Sequence, residues 1–198
     1  MEQSHIIQKI TELFTNKLES LSTAEEKYKV YTDETQFDND DKTAKLKLTL
    51  LGVEYNYSKK MASKIQQKEE DKKGNIIEFF VDPPVIIDLK YMITPYCNNK
   101  DDEYKLLGKI VKLIKDHGSL DISEYDWISN NNKPVKIESI SDMDINKQMY
   151  IFSILKMDYS PSLFYQITIG INSENKEIFR RVQKRQIDTF VKKPENVK

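Results

Sequence analysis

Between Val85 and Ile93 every second residue is apolar: Val85, Ile87, Leu89, Tyr91 and Ile93. The residues between them, Ile86, Asp88, Lys90 and Met92, are mixed. A period of two fixes a β-strand with one committed face and one partly wet face. Pro83-Pro84 bars a strand from running straight in from Phe79, because proline donates nothing to a ladder. Thr94-Pro95 is expected to end the strand, and Asn98-Asn99 to make the turn. A helix follows at once. Asp101, Asp102 and Glu103 crowd its first turn, and Lys112, Lys115 and His117 lie toward its end, as the helix dipole favours. Leu106, Leu107, Ile110, Leu113 and Ile114 recur at three and four, so one stripe faces a core. Gly118 stands where a left-handed cap is expected. A strand, a turn and a helix packed in such close order require an α+β domain.

Other stretches supply further elements. Ile6, Ile7, Ile10, Leu13, Phe14, Leu18 and Leu21 fall at helical spacing after Ser4, the expected cap. Residues 31–42 carry five acids and little that is apolar, and read as a loop. Lys45 to Tyr57 reads as a strand whose apolar phase changes beside Gly52. A bulge there would return both apolar sets to one side. Residues 58–74 suit a helix or a long exposed loop, with a turn at Lys73-Gly74-Asn75 before a short strand over Ile76–Val81. Asp121–Asn132 is loop-like and holds Trp127, expected to be a core aromatic. Val135–Glu138 is a short strand. Asp142 or Asp144 caps a helix that turns Ile145, Met149, Phe152 and Leu155 inward. The last strand runs from Leu163 to Ile171, with Leu163, Tyr165, Ile167, Ile169 and Ile171 on one face. The expected fold is a single α+β domain over 1–175. It has a mixed or mainly antiparallel sheet packed by two or three helices, followed by a basic arm over 176–198.

Catalytic chemistry has few residues to draw on. The chain has two histidines, one cysteine and five scattered glycines. It has no phosphate-cradling glycine loop, no HExxH and no GxSxG. His117 reads as a helix-end cation, and Cys97 has no base beside it in sequence. Asp142, Asp144 and Asn146 imitate the start of a calcium loop. The sharp-turn glycine is replaced by Lys147 and the bidentate glutamate by Ser153, so calcium is not expected. No cofactor or metal is assigned. Lys+Arg 31 against Asp+Glu 32 leaves a net charge of −1. That balance argues against a dedicated nucleic-acid binder. A lone cysteine fits a reducing compartment, and no apolar run has the length of a signal or a membrane span. Synthesis in the cytoplasm is the expectation.

Three segments resemble a known family. They are PPVIIDLKYMITPY followed by EYKLLGKIVKLIKDHGSL, YIFSILKMDYSPSLFYQITIGINS, and KLKLTLLGVEYNY. Together they are similar to the N-terminal domain of the cap proteins of antifeeding-prophage-type contractile injection systems, relatives of phage tail terminators. The likeness spans roughly Lys45 to Ser173 and rests on fold motifs, not catalytic ones. Where the family pattern has a tryptophan before PSL, this chain has Tyr150 or Phe152. The resemblance implies a structural protein and not an enzyme. It implies a hexameric ring of copies on the end of the inner tube and sheath, ending polymerisation, with sheath and tube proteins as partners. No nucleic acid, membrane or small-molecule ligand is then expected.

Position and charge suggest where partners touch. The first candidate is the strand carrying Leu163, Tyr165, Ile167, Ile169 and Ile171. The second is the tail, through Phe179, Arg180, Arg181, Lys184, Arg185 and Phe190. The third is the acidic loop, through Asp38, Asp40 and Asp41. Two competing readings stay open on the sequence. One is a small enzyme or ligand-binding domain, which needs a deep pocket uniting His117, Cys97 and Asp88. The other is non-specific DNA contact by the basic tail.

Overall fold

The computed structural model describes residues 5–23, 27–32, 44–59, 63–70, 74, 76–123, 134–173 and 176–178. The chain divides into a large unit, residues 1–62 and 83–173, and a small unit, residues 63–82 and 174–198. In chain order the elements are α1 (Ile6–Glu19), β1 (Tyr28–Thr32), β2 (Ala44–Tyr55), β3 (Ile65–Glu70), β4 (Ile76–Val81), β5 (Val85–Tyr96), α2 (Lys100–His117), β6 (Ser119–Leu120), β7 (Val135–Ser139), α3 (Ile145–Ile154), β8 (Leu163–Ile171) and β9 (Lys176–Ile178).

The large unit is built on one mixed sheet of order β1-β2-β5-β8-β7-β6. Only the β1–β2 pair is parallel; the rest of the ladder is antiparallel. The expected α+β sheet packed by helices is therefore present. β5 lies near the middle, paired with β2 on one side and β8 on the other. Its odd-numbered residues from Ile87 to Ile93 enter the main core, as their period requires. Ile87, Leu89, Tyr91 and Ile93 join Ile6, Ile10, Phe14 and Leu18 of α1 and Leu106, Ile110 and Ile114 of α2. Phe14 sits at the centre, its ring edge-on to Tyr91 at 5.4 Å and to Tyr165 at 6.5 Å. The opposite face carries a smaller cluster in which Phe152 of α3 covers Met92 and Phe164.

Several expectations need correction. β5 does not stop at Thr94 but runs through Pro95 to Tyr96, with Pro95 standing opposite Leu46. Tyr31 and Thr32 belong to β1, an edge strand beside β2, not to a loop. The stretch expected to be helix or loop contains β3. Gly118 is not left-handed; its φ is −73 and ψ 47. Glycine is required there for a different reason: a Cβ would lie 2.1 Å from the Ile114 carbonyl oxygen. The bulge beside Gly52 is real, with Leu50 opposite Tyr91 and Gly52 opposite Lys90. Val53 and Tyr55 thereby return to the face of Leu46 and Leu48, because they stand opposite Leu89 and Ile87. Leu51, the bulged residue, instead packs into the smaller cluster.

Side-chain caps account for the starts of α2 and α3. Asn99 accepts the Asp102 backbone N–H at 2.8 Å and Asp144 accepts that of Lys147 at 2.9 Å. His5 holds the cap position of α1 without a side-chain bond; Ser4 lies outside the described residues. Gly108 is exposed within α2, and a Cβ there meets nothing within 4 Å. Glycine is a poor helix residue because it loses the most backbone freedom. Gly108→Ala is expected to stabilise the fold by about 0.5–1 kcal/mol. Urea unfolding would show a higher midpoint at unchanged slope.

The small unit is a three-stranded sheet of order β3-β4-β9. Gly74, at φ 81, supplies the left-handed turn between its first two strands. Lys68 and Glu78 are register partners and form an ion pair at 3.0 Å. Phe79 and Val81 of β4 are its buried apolar residues.

Candidate assembly surfaces

The sequence-derived contact strand is β8. It pairs with β5 along its whole length, and with β7 over Tyr165–Ile167. Tyr165, Ile167 and Ile169 are buried in the main core, with Leu163 and Ile171 half-buried against it. The structure thus places this face of β8 inside the large unit. Asp38, Asp40 and Asp41 lie outside the described residues. So do Phe179, Arg180, Arg181, Lys184, Arg185 and Phe190, and so does Trp127. Of the expected arm, the described part is β9, which pairs with Phe79–Val81 of β4.

What the large unit does expose was not legible beforehand. α3 was expected to turn four apolar residues inward; of these only Phe152 is buried. Ile145 and Met149 are more than half exposed, as are Tyr150 and Ile154. Tyr159 is also exposed, and its ring lies 5.4 Å from that of Phe152. The physical reason is that α3 covers a narrow cluster: Phe152 is buried against Met92 and Phe164, and Ile151 packs half-buried at its edge. No periodic signal marked this, because Asn146, Lys147, Gln148 and Ser153 are spread around the helix among its apolar residues.

The second exposed surface lies at the other end of β5. Tyr55, Tyr57, Pro83, Pro84, Val85 and Ile86 line a groove of about 220 Å³. Its origin is the Gly52 bulge. Beyond it β2 keeps presenting apolar residues to the helical face, yet Val53 is 45% and Tyr55 65% exposed. The rings of Tyr55 and Tyr57 are 6.1 Å apart.

Between these surfaces the face of the sheet that α3 leaves open is polar. Asp88, only 9% exposed, accepts from Asn56 Nδ2 at 2.9 Å and from Thr168 Oγ1 at 2.6 Å. Lys90 reaches Glu54 at 2.7 Å. These bonds leave Asp88 occupied structurally. Neither this groove nor the wider one beside Leu13, Lys17 and Ser119 is lined by His117, Cys97 or Asp88. Burial, with the Glu103 and Asp102 carboxylates adding to it, pushes the Cys97 thiol up, away from nucleophilic thiolate. Among the described residues no group of three His, Cys, Asp or Glu side chains could hold a metal. No described helix is long and apolar enough to cross a membrane.

The fold has close parallels among solved structures. A sheath/tube terminator of the PVC extracellular contractile injection system, in its extended state, superposes with a TM-score of 0.63 at 12% identity. The match covers 97% of this chain and 65% of that one. The tube-terminating cap of the anti-feeding prophage superposes with a TM-score of 0.61 at 13% identity, covering 91% of this chain and 60% of the other. The chain thus spans somewhat under two thirds of the length of these structures, and at such identity the likeness is one of fold. No curated protein matches. The family model described as the Pvc16 N-terminal domain matches residues 5–183. With that match across most of its length, and the strand–turn–helix of β5 and α2 inside it, the chain belongs to the Pvc16 N-terminal domain family.

Proposed function

We propose that this protein is a structural cap, a terminator seated on the end of the tube and sheath of a contractile injection particle. The observation that carries the reading is the family match over residues 5–183, joined to a fold shared with two proteins described as terminators. The physical logic is that a growing tube ends in unsatisfied strand edges and apolar surface. A terminator matches that end on one side and offers no equivalent on the other, so addition stops. Its partners are then sheath and tube proteins and further copies of itself, in a six-membered ring. Its place is the assembled particle, and its role is not catalytic. The acidic run Asp38–Asp41 and the basic tail from Phe179 are candidate contacts, because opposite charge steers and registers partners.

Electron microscopy of particles made with and without this protein tests the reading. Unstable or overlong tubes lacking density at one end are expected in its absence. Intact ends of normal length would overturn it. Removing residues 179–198 spares β9 and should leave a folded protein that no longer joins particles. Normal capping by that truncation would remove the tail from the contact while leaving the cap reading in place.

A further inference from the structure

β6 ends the six-stranded sheet, so among the described residues only one of its sides is paired. That pairing fixes which backbone groups face outward. The Ile137 N–H donates to the Gly118 carbonyl at 2.8 Å, while Ser119 stands opposite Lys136 and Leu120 opposite Val135. Antiparallel neighbours alternate between hydrogen-bonded and unbonded pairs. Gly118–Ile137 is a bonded pair, so Ser119–Lys136 is an unbonded one, and the Ser119 N–H and C=O point away from β7. Ser119 also lines a groove of about 640 Å³ shared with the C-terminal half of α1. Leu13 and Lys17 stand on the helix side of this groove, with Ser119 and Asp121 across from them. The two facing charges differ in their state. Asp121 already accepts the Ser123 backbone N–H at 3.0 Å. Lys17 forms no ion pair among the described residues.

We infer that this groove takes an extended polypeptide segment of a partner protein, laid along the outer edge of β6. The segment places an apolar side chain on Leu13 and, two residues away, a carboxylate on Lys17. Spacing supports the pattern. Leu13 and Lys17 are separated by about 6 Å of helix rise. Side chains two apart on a strand share a face and lie roughly 6.7 Å apart. A strand beside α1 therefore meets both residues with one face. Charge selects the second of the two side chains, since an acid there pairs Lys17 and a base is repelled. The ladder contributes little by itself: β6 has two residues, and only Ser119 turns its N–H and C=O outward. Selection then falls on Leu13 and Lys17. In strand addition generally, main-chain bonds hold the segment and alternate side chains choose it. A small molecule of the same volume would fill the hollow and leave the Ser119 pair unused. Such a site operates in the free chain and needs no assembled particle.

Fluorescence anisotropy tests it on the full chain with a labelled peptide, Thr-Val-Thr-Glu-Thr, blocked at both ends and titrated into the millimolar range. Saturable binding is expected. Replacing the peptide's glutamate by lysine, or methylating its backbone nitrogens, should weaken binding about tenfold or more. Lys17→Glu should reverse the preference in favour of the lysine peptide. Its circular dichroism spectrum should be unchanged, because the Lys17 ammonium holds no ion pair among the described residues. Amide NMR spectra give an independent reading of where the peptide lies. The Ser119 amide should exchange rapidly in the free chain and become protected once the peptide is bound. Equal binding of the glutamate and lysine peptides would overturn the site, as would equal binding after methylation or a Ser119 amide that stays unprotected. So would a complete lack of binding, which is the result if another segment of the same chain, a second copy or a small molecule occupies the groove.

Discussion

Phe14→Ala is expected to destabilise the large unit by about 3–5 kcal/mol, the usual cost of emptying a buried aromatic site. Phe14 is fully buried and lies among α1, β5 and β8, with Tyr91 and Tyr165 both edge-on to its ring. Its loss removes apolar burial, two aromatic contacts of about 0.5–1.5 kcal/mol each, and leaves a cavity. Collapse is difficult here. Tyr91 and Tyr165 are held by their strands, and Tyr91 is tied to Thr11 of α1 at 2.9 Å. A domain stable by 5–15 kcal/mol loses a large share of that total. For a chain of this size the melting temperature should fall by roughly 10 °C. Phe14→Leu keeps much of the volume and should cost about half as much. A melting point within a degree or two of wild type for Phe14→Ala would show that α1 is not part of the core.

That core is the part of the protein most legible in its sequence. The alternation through Val85–Ile93 and the stripe of α2 each point to one face; β5 and α2 bury Ile87, Leu89, Tyr91, Ile93, Leu106, Ile110 and Ile114 of the residues so marked, while Leu107 and Leu113 are half-buried and Val85 is exposed. Of Asp142 and Asp144, it is Asp144 that caps α3, and Asn99, read as part of the turn, also caps α2. Failures cluster where no period existed to be read. β1 buries Val30 and Tyr31 but has only five residues, and it gains its place by parallel pairing with β2, the next strand in the chain. β3, with sequence IQQKEE, has almost no apolar content and is a strand because β4 pairs with it. Pairing is a tertiary fact, and propensity yields to it. The exposed surfaces were missed for the opposite reason. Ile145, Met149, Phe152 and Leu155 were assigned to this chain's own core, whereas of these only Phe152 is buried. Composition shows which residues seek burial, but not whether the same copy supplies the cover.

Raising the pH through the range of about 10 to 12 is expected to remove roughly 2–3 kcal/mol of stability through Tyr91 alone. Burial, partly offset by the bond to Thr11, pushes the Tyr91 phenol up to about 12. The direction follows from proton counting. In the unfolded chain the phenol ionises near its ordinary pKa of about 10, while in the fold it holds its proton longer. Below about pH 10 both states are protonated and the contribution is fully present. Above it the unfolded state gains by ionising and the folded state does not, so stability falls until the folded group titrates as well. Thr11 donates its own proton to the Ile7 carbonyl at 2.8 Å, so the Tyr91 hydroxyl is the donor in their shared bond. Tyr91→Phe therefore sacrifices that one bond, about 1 kcal/mol at neutral pH. It also deletes the titrating group. Burial shifts Tyr96 and Tyr165 in the same direction, so wild type alone cannot separate the three. The comparison can: urea midpoints measured from pH 8 to 12 should converge for wild type and Tyr91→Phe, and then cross. Parallel curves would mean that Tyr91 ionises as readily in the fold as outside it, and that the seam between α1 and β5 admits water.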